Sequence, residues 1–445
     1  MKYDLVIRGA SVVRANGMEA LCIGIGDGRI AEMAPELSGE AKETIDARGL
    51  LLFPGVIDAH VHFNDPGRSE WEGVASGSNA LAAGGGTCFI DMPLNSSPPT
   101  LDAPSFAAKL AACGKAARTD FALWGGLTPD NLDHLEALAD CGVAGYKAFM
   151  SGSGIDDFRR CDDEDLYRGM RVAASRGLPV AVHAESEALV GALSAEARAA
   201  GRASARDFLA TRPVDAETRA ISRAIVIAAE TGCKLHVVHT SSARGARLIR
   251  EAVAAGLADV SCETCPHYLF FTDSDVERLG ARAKCAPPLR PAAERDALLA
   301  LVAQGLVDTI GSDHSPAPLS MKEAADFFDA WGGISGVQST LRVMLTLPIA
   351  LPLLSRLLSD NVARRFGLSG KGGLQVGADA DCTLVDLSET PIVSSEELFD
   401  RHRLSPYVGS PLRGRIKRTL LRGRTVFRDG ALVGDPEGRF IRPER

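Results

Sequence analysis

Two histidines separated by one residue, His60 and His62, are the first side chains in the sequence whose types and spacing suggest chemistry. They close the segment Gly55-Val-Ile-Asp-Ala-His-Val-His and precede a turn-rich loop over residues 63–68. In a β-strand, residues i and i+2 point to the same face, so two imidazoles at this spacing can bind one metal ion together. The pattern alone is weak, because histidines at a strand end also occur as hydrogen-bonded core residues.

Three further potential metal ligands follow apolar segments. His183 ends a run that starts at Leu178, His239 ends a run that starts at Lys234, and Asp313 follows Thr309-Ile-Gly-Ser. A single histidine in such a place is more often structural, but its recurrence at equivalent places favours metal binding. A carboxylate there can bind a metal and accept a proton from water, although it can also simply cap a turn. We predict that Asp313 is both a ligand and the catalytic base.

Lys147, in the segment Gly145-Tyr-Lys-Ala-Phe-Met, is an unusual residue for the end of an apolar strand. A buried ammonium group is costly unless it is used, for example in a Schiff base or in phosphate binding. Beside a metal centre the ammonium group would instead be repelled, and the predicted histidines and Asp313 supply only one negative charge. We hypothesise that carbon dioxide adds to the lysine nitrogen. The resulting N6-carboxylysine would lose the positive charge and gain an anion able to bridge two metals.

These side chains must be positioned by the alternating strand and helix patterns of residues 54–368. Helical patterns cover residues 164–175, 216–230, 243–255 and 292–302. Strict alternation of strands and helices predicts an α/β fold with a parallel sheet, and eight such units permit closure into a (β/α)8 TIM-type barrel. The strand-like runs end near His62, Met92, Leu127, Phe149, His183, His239, His267 and His314. The carboxyl ends of barrel strands carry the active site in this architecture.

A doubly wound open sheet is the alternative for residues 54–368. Such a sheet normally has a glycine-rich phosphate-binding turn after its first strand, whereas this chain has His60-Val-His62 there. Residues 1–53 and 369–445 contain short strands, with hairpin signals at Asp27-Gly28 and Asp429-Gly430. Because neither end can bury a core alone, we predict that the two ends form one small β-sandwich domain, the alternative being two separate flaps.

Composition narrows the classes of function. The chain has 445 residues, 46% of them hydrophobic and 24% charged, which is typical of a globular protein. Its net charge of −8 and its lack of long basic runs argue against binding to nucleic acids or anionic membranes. No apolar run reaches the ~18 residues of a transmembrane helix. The N-terminus lacks the order of a signal peptide, so we expect a cytoplasmic protein in which the ten cysteines are free thiols.

Together these motifs resemble those of the cyclic amidohydrolases, the family of dihydroorotases, hydantoinases and allantoinases. The resemblance covers essentially the whole chain and is carried by residues 55–62, 65–68, 147, 183, 239–242, 263–268, 287–290 and 312–315. It implies that residues 54–368 are the metal-dependent catalytic barrel and that the protein is a homotetramer. It also implies two divalent metal ions, for which zinc suits the ligands best and cobalt or manganese are alternatives. The implied ligand set is His60, His62 and Asp313 on one ion, His183 and His239 on the other, and carboxylated Lys147 as the bridge.

Within the family the motifs are most similar to those of allantoinases, in residues 71–73, 92–95, 330–338 and 405–409. Dihydroorotases usually have an arginine two residues after the second histidine, where this chain has Asn64. Hydantoinases usually have a tyrosine gate five residues after the bridging lysine, where this chain has Gly152. The serine that often precedes the Pro-Pro-Leu-Arg segment is Ala286.

The implied activity is hydrolysis of a small cyclic ureide, allantoin to allantoate, with Asp313 passing a proton from water to the leaving nitrogen. Asn95, Ala286, Gly332 and Gly333 are the predicted substrate-binding residues, the glycines because they let the main chain approach a ligand closely. The alternatives are a dihydroorotase or a hydantoinase acting on a related ring. A non-catalytic hydantoinase-like scaffold is a further alternative, but it should lack several of the metal ligands.

Overall fold

The computed structural model describes residues 2–445. These residues form one mixed sheet, two parallel sheets and a set of helices. The strands are β1 Lys2–Arg14, β2 Gly17–Gly26, β3 Arg29–Ala34, β4 Glu40–Asp46, β5 Leu51–Pro54, β6 Val56–Val61, β7 Gly86–Asp91, β8 Asp120–Leu123, β9 Gly125–Gly126, β10 Tyr146–Phe149, β11 Pro179–His183, β12 Lys234–Val237, β13 Val260–Thr264, β14 Thr309–Ile310, β15 Cys382–Asp386, β16 Arg415–Leu421, β17 Arg424–Arg428 and β18 Ala431–Leu432.

The α-helices are α1 Val74–Ala83, α2 Ala103–Ala116, α3 Leu135–Cys141, α4 Asp163–Ser175, α5 Glu187–Ala199, α6 Ala205–Ala210, α7 Val214–Thr231, α8 Ala243–Ala254, α9 Pro266–Phe270, α10 Asp273–Leu279, α11 Ala292–Ala303, α12 Leu319–Lys322, α13 Thr340–Thr346, α14 Leu351–Ser355 and α15 Asn361–Arg365. A π-helical turn, Arg356–Asp360, joins α14 to α15. No helix among residues 2–445 is both long and apolar enough to cross a lipid bilayer.

The two ends of the chain share one sheet. Its strand order is β18-β17-β16-β15-β5-β1-β2-β3, and β4 pairs in parallel with β1. Strands β5 and β15, from opposite ends of the chain, pair antiparallel and join the two halves. Both predicted hairpins are confirmed: Asp27 and Gly28 have φ values of 52° and 76°, and Asp429 and Gly430 have 45° and 85°. Positive φ at both turn residues is what the tightest hairpin requires.

The middle of the chain forms parallel strands separated by helices, which confirms the α/β class. Strands β6, β7 and β8 form one parallel sheet, and β9 to β14 form another in sequential order. Only Trp124 separates β8 from β9, and its indole Nε1 donates to the carbonyl of Ala59 at 2.9 Å. The two parallel sheets also meet where β6 lies beside the segment after β14. Val61 forms a parallel bridge with His314 there, and the His62 N–H donates to the His314 carbonyl at 2.8 Å.

The predicted helices correspond to α4, α7, α8 and α11, with ends that differ by at most two residues. The strand expected to end near His267 instead ends at Thr264, and His267 lies in α9. The physical reason is Pro266, which occupies the first turn of α9, where a proline favours the start of a helix and cannot donate to a strand ladder.

The helix that runs from α14 to α15 closes the amino ends of the parallel strands. Ser359 Oγ donates to the carbonyl of Gly55, just before β6, at 2.9 Å, and Asn361 Nδ2 donates to the carbonyl of Asp308, just before β14, at 2.7 Å. Phe366 packs edge-on against Trp124, with ring centroids 5.2 Å apart. These contacts fill the amino-terminal end of the parallel strands, and the cavity lies at their carboxyl-terminal end.

Candidate metal centre

All six predicted metal ligands lie at or just beyond the carboxyl ends of the parallel strands. Strands β6, β10, β11, β12 and β14 position, in turn, His60 and His62, Lys147, His183, His239, and Asp313. The five basic side chains are buried, and the Asp313 side chain is only 13% exposed. Parallel strands have their carboxyl ends on one edge, so residues more than 250 positions apart meet there.

His60, His62 and Asp313 form the first group. Asp313 Oδ1 lies 3.2 Å from His60 Nε2 and 3.4 Å from His62 Nε2. Three ligand atoms within 4.8 Å of one another are suited to surround one cation. Burial alone would raise the pKa of Asp313, but the neighbouring imidazoles hold that pKa below its usual range, so the carboxyl group is ionised.

His183 and His239 form the second group. His183 Nδ1 lies 3.1 Å from His239 Nε2, and the His239 ring centroid is 5.4 Å from that of His60, so the two groups are adjacent. His239 and Asp313 both have positive φ values, 39° and 46°. That conformation is costly for residues with a side chain and persists where the surrounding structure holds a functional group in place.

Lys147 is the second residue of β10, two positions before the end of that strand, and has no exposed surface. Its Nζ donates to the carbonyl of Ala148 at 3.2 Å and lies 3.6 Å from the ring centroid of Phe149. Within residues 2–445, no carboxylate forms an ion pair with it. Burial lowers the pKa of Lys147 to about 7, so part of the amine is neutral at neutral pH. A neutral amine is the form that adds to carbon dioxide.

Two carboxylates that the sequence analysis did not identify orient the histidine rings. Glu263 Oε1 lies 2.8 Å from His60 Nδ1, and Glu185 Oε2 lies 2.9 Å from His183 Nε2. A carboxylate on one ring nitrogen fixes the tautomer and aims the other nitrogen at a metal. Glu263 also accepts the His239 N–H at 3.2 Å, and Glu185 also binds Arg212. Their positions in the sequence could have identified these carboxylates. Glu263 is the penultimate residue of β13, and Glu185 follows His183 by two residues.

The metal centre faces a cavity of about 290 Å³, whose lining includes all four predicted substrate-binding residues. Asn95 Nδ2 lies 3.4 Å from both His62 Nδ1 and Ser315 Oγ, next to the first ligand group. Gly152, where hydantoinases would have a tyrosine gate, also lines the cavity, and its N–H donates to Glu187 at 2.8 Å.

The main-chain groups of Gly333 are hydrogen-bonded within the protein, whereas those of Ala286 and Gly332 are free within the part of the chain that the structure describes. Gly333 has φ +134°, and a Cβ there would lie 2.1 Å from the carbonyl oxygen of Ser315, so a side chain is excluded. Its N–H donates to the Lys284 carbonyl at 2.7 Å, and its own carbonyl accepts from Lys322 Nζ at 2.7 Å. In the described chain, the main-chain groups of Gly332 and Ala286 make no such hydrogen bond, which leaves them free for a ligand.

The residues present fit a pair of metal ions. Ionised Asp313 and the facing ring nitrogens supply oxygen and nitrogen ligands in two adjacent groups. Lys147 is close enough to act electrostatically on both groups, and it has the burial and the lack of a carboxylate partner that a modified bridging residue requires. Such a centre can activate water and polarise a carbonyl group.

Comparison with known proteins agrees with this chemistry. The sequence profile described as "Amidohydrolase family" matches residues 51–426. The chain is 54% identical to the allantoinase of Rubrobacter xylanophilus, with 100% of this chain and 98% of that protein aligned. It is 54% identical to the allantoinase of Solibacter usitatus, over 99% of this chain and 97% of that protein.

Solved structures give the same result for the fold. The L-hydantoinase (dihydropyrimidinase) of Arthrobacter aurescens superimposes with a TM-score of 0.96 at 34% identity, over 99% of this chain and 100% of that one. The dihydropyrimidinase of Brevibacillus agri NCHU1002 superimposes with a TM-score of 0.92 at 30% identity, over 98% of each chain.

Proposed function

Because the chain belongs to the amidohydrolase family, we propose that it is the cyclic amidohydrolase that converts allantoin to allantoate. The observation that carries the proposal is the meeting of four histidines and Asp313 at one cavity, with a buried lysine, Lys147, close enough for its charge to act on three of those histidines. Full-length similarity to curated allantoinases supports the choice of substrate.

The proposed centre holds two divalent ions, with zinc as the expected metal and cobalt or manganese as alternatives. His60 and His62 would hold one ion with Asp313, and His183 and His239 would hold the other. Lys147, if carboxylated on Nζ, would supply the anion shared by both. Support comes from the adjacency of the two ligand groups and from the absence, within the described residues, of any carboxylate that would otherwise neutralise Lys147.

When bound, a pair of such ions lowers the pKa of water and polarises the carbonyl group under attack. Asp313 is placed beside the first ligand group with an ionised carboxylate, so it can accept a proton from the attacking water. The water oxygen adds to the ring amide carbon, and the ring C–N bond then breaks. Asp313 returns its proton to the leaving nitrogen, so the net reaction consumes one water and opens the ring.

The substrate is held by groups at the mouth of the cavity. Gly332 and Ala286 offer free main-chain groups, and Asn95 offers a side-chain amide, which together can pair with the alternating N–H and carbonyl groups of a ureide. Gly333 belongs to the same proposed binding edge. Its own main-chain groups are engaged within the protein, so its contribution is to shape that edge.

The finer architecture belongs to the same proposal. Residues 54–368 form a closed (β/α)8 barrel, for which the continuity of β8 and β9 and the Val61–His314 bridge are the support. The small β-sandwich domain predicted for residues 1–53 and 369–445 stays part of the proposal, with residue 1 outside the described residues and the shared sheet of the two ends as its support. Assembly into a homotetramer and a cytoplasmic location stay predictions from the sequence, as do the absence of nucleic-acid and membrane partners.

Hydantoinase activity is the second candidate, because the Arthrobacter aurescens structure cited above carries that name at 34% identity. Gly152 argues against it, since it leaves the cavity without the aromatic gate that suits a bulky hydantoin substituent. The scaffold alternative is disfavoured by the presence of every predicted ligand at one site.

Turnover of allantoin, hydantoin and dihydroorotate by the purified, zinc-loaded protein tests the proposal. The highest kcat/KM is expected for allantoin, with two metal ions per chain by elemental analysis. A higher kcat/KM for hydantoin or dihydroorotate would assign the chain to the other activity. Stoichiometric metal binding without turnover of any of the three would reject the proposed substrate class.

A further inference from the structure

The segment of residues 326–333, here called the cover segment, forms one wall of the cavity without any helix or strand. Its residues 328–333 line the cavity together with the predicted metal ligands. Arg198, which is not a lining residue, binds Asp326 at 3.1 Å and Asp329 at 2.7 Å. An irregular segment has no ladder of main-chain hydrogen bonds, so other groups must satisfy its carbonyls.

Two lysines satisfy five of the eight carbonyls of the cover segment. Lys284 Nζ donates to the carbonyls of Phe327, Phe328 and Ala330 at 2.6, 3.0 and 2.5 Å. Lys322 Nζ donates to those of Trp331 and Gly333 at 3.3 and 2.7 Å, and to that of Ala281 at 3.3 Å. An ammonium group has three protons, so each lysine is fully used by main-chain oxygens.

These lysines are costly to bury. Lys284 is 5% exposed and Lys322 is 8% exposed, and within residues 2–445 neither forms an ion pair with a carboxylate. Burial lowers the pKa of Lys284 to about 8 and that of Lys322 to about 7. Each ammonium group offsets that cost by satisfying three main-chain carbonyls that would otherwise lack a donor. Five of these six carbonyls belong to the cover segment, so the two lysines act on the conformation of that segment.

The contacts fix the direction of the two peptide groups on either side of Gly332. Lys322 holds the Trp331 carbonyl, and the Lys284 carbonyl holds the Gly333 N–H. In a planar trans peptide the C=O and N–H point in opposite directions. The Gly332 N–H therefore points away from Lys322, and the Gly332 carbonyl points away from the Lys284 main chain. Gly332 thus has one free donor and one free acceptor and lines the cavity.

We propose that Lys284 and Lys322 are positioning residues that hold the cover segment so that the Gly332 donor and acceptor meet the amide edge of the substrate. This inference rests on the proposed function, because a cyclic ureide is the ligand with the matching N–H and carbonyl groups. The two lysines thereby set substrate affinity, whereas the metal ligands and Asp313 set the chemical step.

The variants Lys322→Met and Lys284→Met test the proposal, with Lys115→Met, at an exposed position of α2, as the matched control. In each test variant, KM for allantoin should rise about tenfold, equivalent to ~1.4 kcal/mol of binding, while kcat and metal content stay near those of the parent protein. Hydrogen exchange should accelerate in residues 326–336 only. The free energy of unfolding should fall modestly, because each variant leaves buried main-chain carbonyls without a donor.

A merely structural role predicts a different result. Exchange would then accelerate throughout the barrel, or kcat would fall together with the rise in KM, and either finding would overturn the proposal. Unchanged exchange and unchanged KM would overturn it as well, as would failure of both variants to fold. If the parent protein does not turn over allantoin, the proposed function fails. The exchange measurement on the free protein still decides whether the lysines hold the cover segment.

Discussion

Nδ1 of His183 and Nε2 of His239 face each other at 3.1 Å although 56 positions separate the two residues in the chain. Each ring is buried at the end of its own strand, and Glu185 binds the opposite nitrogen of His183. Two imidazole nitrogens at this distance share a hydrogen bond when one carries a proton, and they can bind one cation when neither does. The following predictions test how the surrounding residues support that arrangement.

Replacing Lys147 by Ala should abolish allantoin hydrolysis and remove most of the bound metal. The reason is that the proposed bridging anion is lost between two cations. Added acetate or propionate should restore part of the activity by supplying a carboxylate in its place. Elemental analysis and turnover assays measure both effects, with Lys115→Ala as the control. Two metal ions per chain and a normal rate in Lys147→Ala would exclude a bridging role.

Changing Asp313 to Asn should lower kcat by about 10²–10⁴-fold, the range for loss of a general acid–base group. Asparagine keeps the shape and an oxygen ligand but cannot carry a proton between water and the leaving nitrogen. Metal content should therefore change much less than the rate. Asp133→Asn, at an exposed position, is the control. Loss of all metal from Asp313→Asn would instead mark the residue as chiefly a ligand.

Glu263→Gln should weaken metal binding by about 10–100-fold, the usual effect of removing a carboxylate that orients a ligating histidine. The carboxylate lies 2.8 Å from His60 Nδ1 and is fully buried, so no solvent group replaces it. Titration of the apoprotein with zinc measures the change, and exposed Glu251 supplies the control variant Glu251→Gln. Parent-like zinc affinity would mean that neighbouring packing alone orients His60.

Gly333→Ala should destabilise the protein by about 1–3 kcal/mol, because the residue has a strained φ and its added methyl group meets the Ser315 carbonyl. Gly332→Ala is a matched control for stability, since the nearest atom to a Cβ there is 3.8 Å away. Urea unfolding of both variants measures the difference. Equal free energies of unfolding for the two variants would show that the backbone at Gly333 relaxes.

Lys371→Met should cost about 3–5 kcal/mol, the effect of breaking a buried ion pair from one side. Lys371 Nζ lies 2.5 Å from Asp120 of β8 and 2.8 Å from both Asp379 and Asp381. These three carboxylates could hold a cation, but Lys371 already occupies their centre. Denaturant unfolding of Lys371→Met against Lys115→Met provides the measurement, and a loss below about 1 kcal/mol would indicate that water compensates the carboxylates.

The sequence was sufficient for the α/β class, the ends of the main helices and the residues of the candidate centre. Helices α4, α7, α8 and α11 follow from apolar periodicity, which is a local property. His183 and His239 were found because each follows an apolar strand, and parallel strands end on one edge whatever the details of packing. The strand expected to end near His267 ends at Thr264, because Pro266 starts helix α9.

Only the tertiary structure revealed how the centre is supported. Glu263 lies 203 positions from His60, and Lys284 lies 43 or more positions from the carbonyls that it binds. The spacing of apolar residues along the chain does not indicate such contacts, because they depend on how separate βα units pack against one another. The sequence near each strand end therefore indicates which reactive residues are present. Their orientation depends on partners that are distant in the chain, because a buried polar group without a partner costs too much free energy.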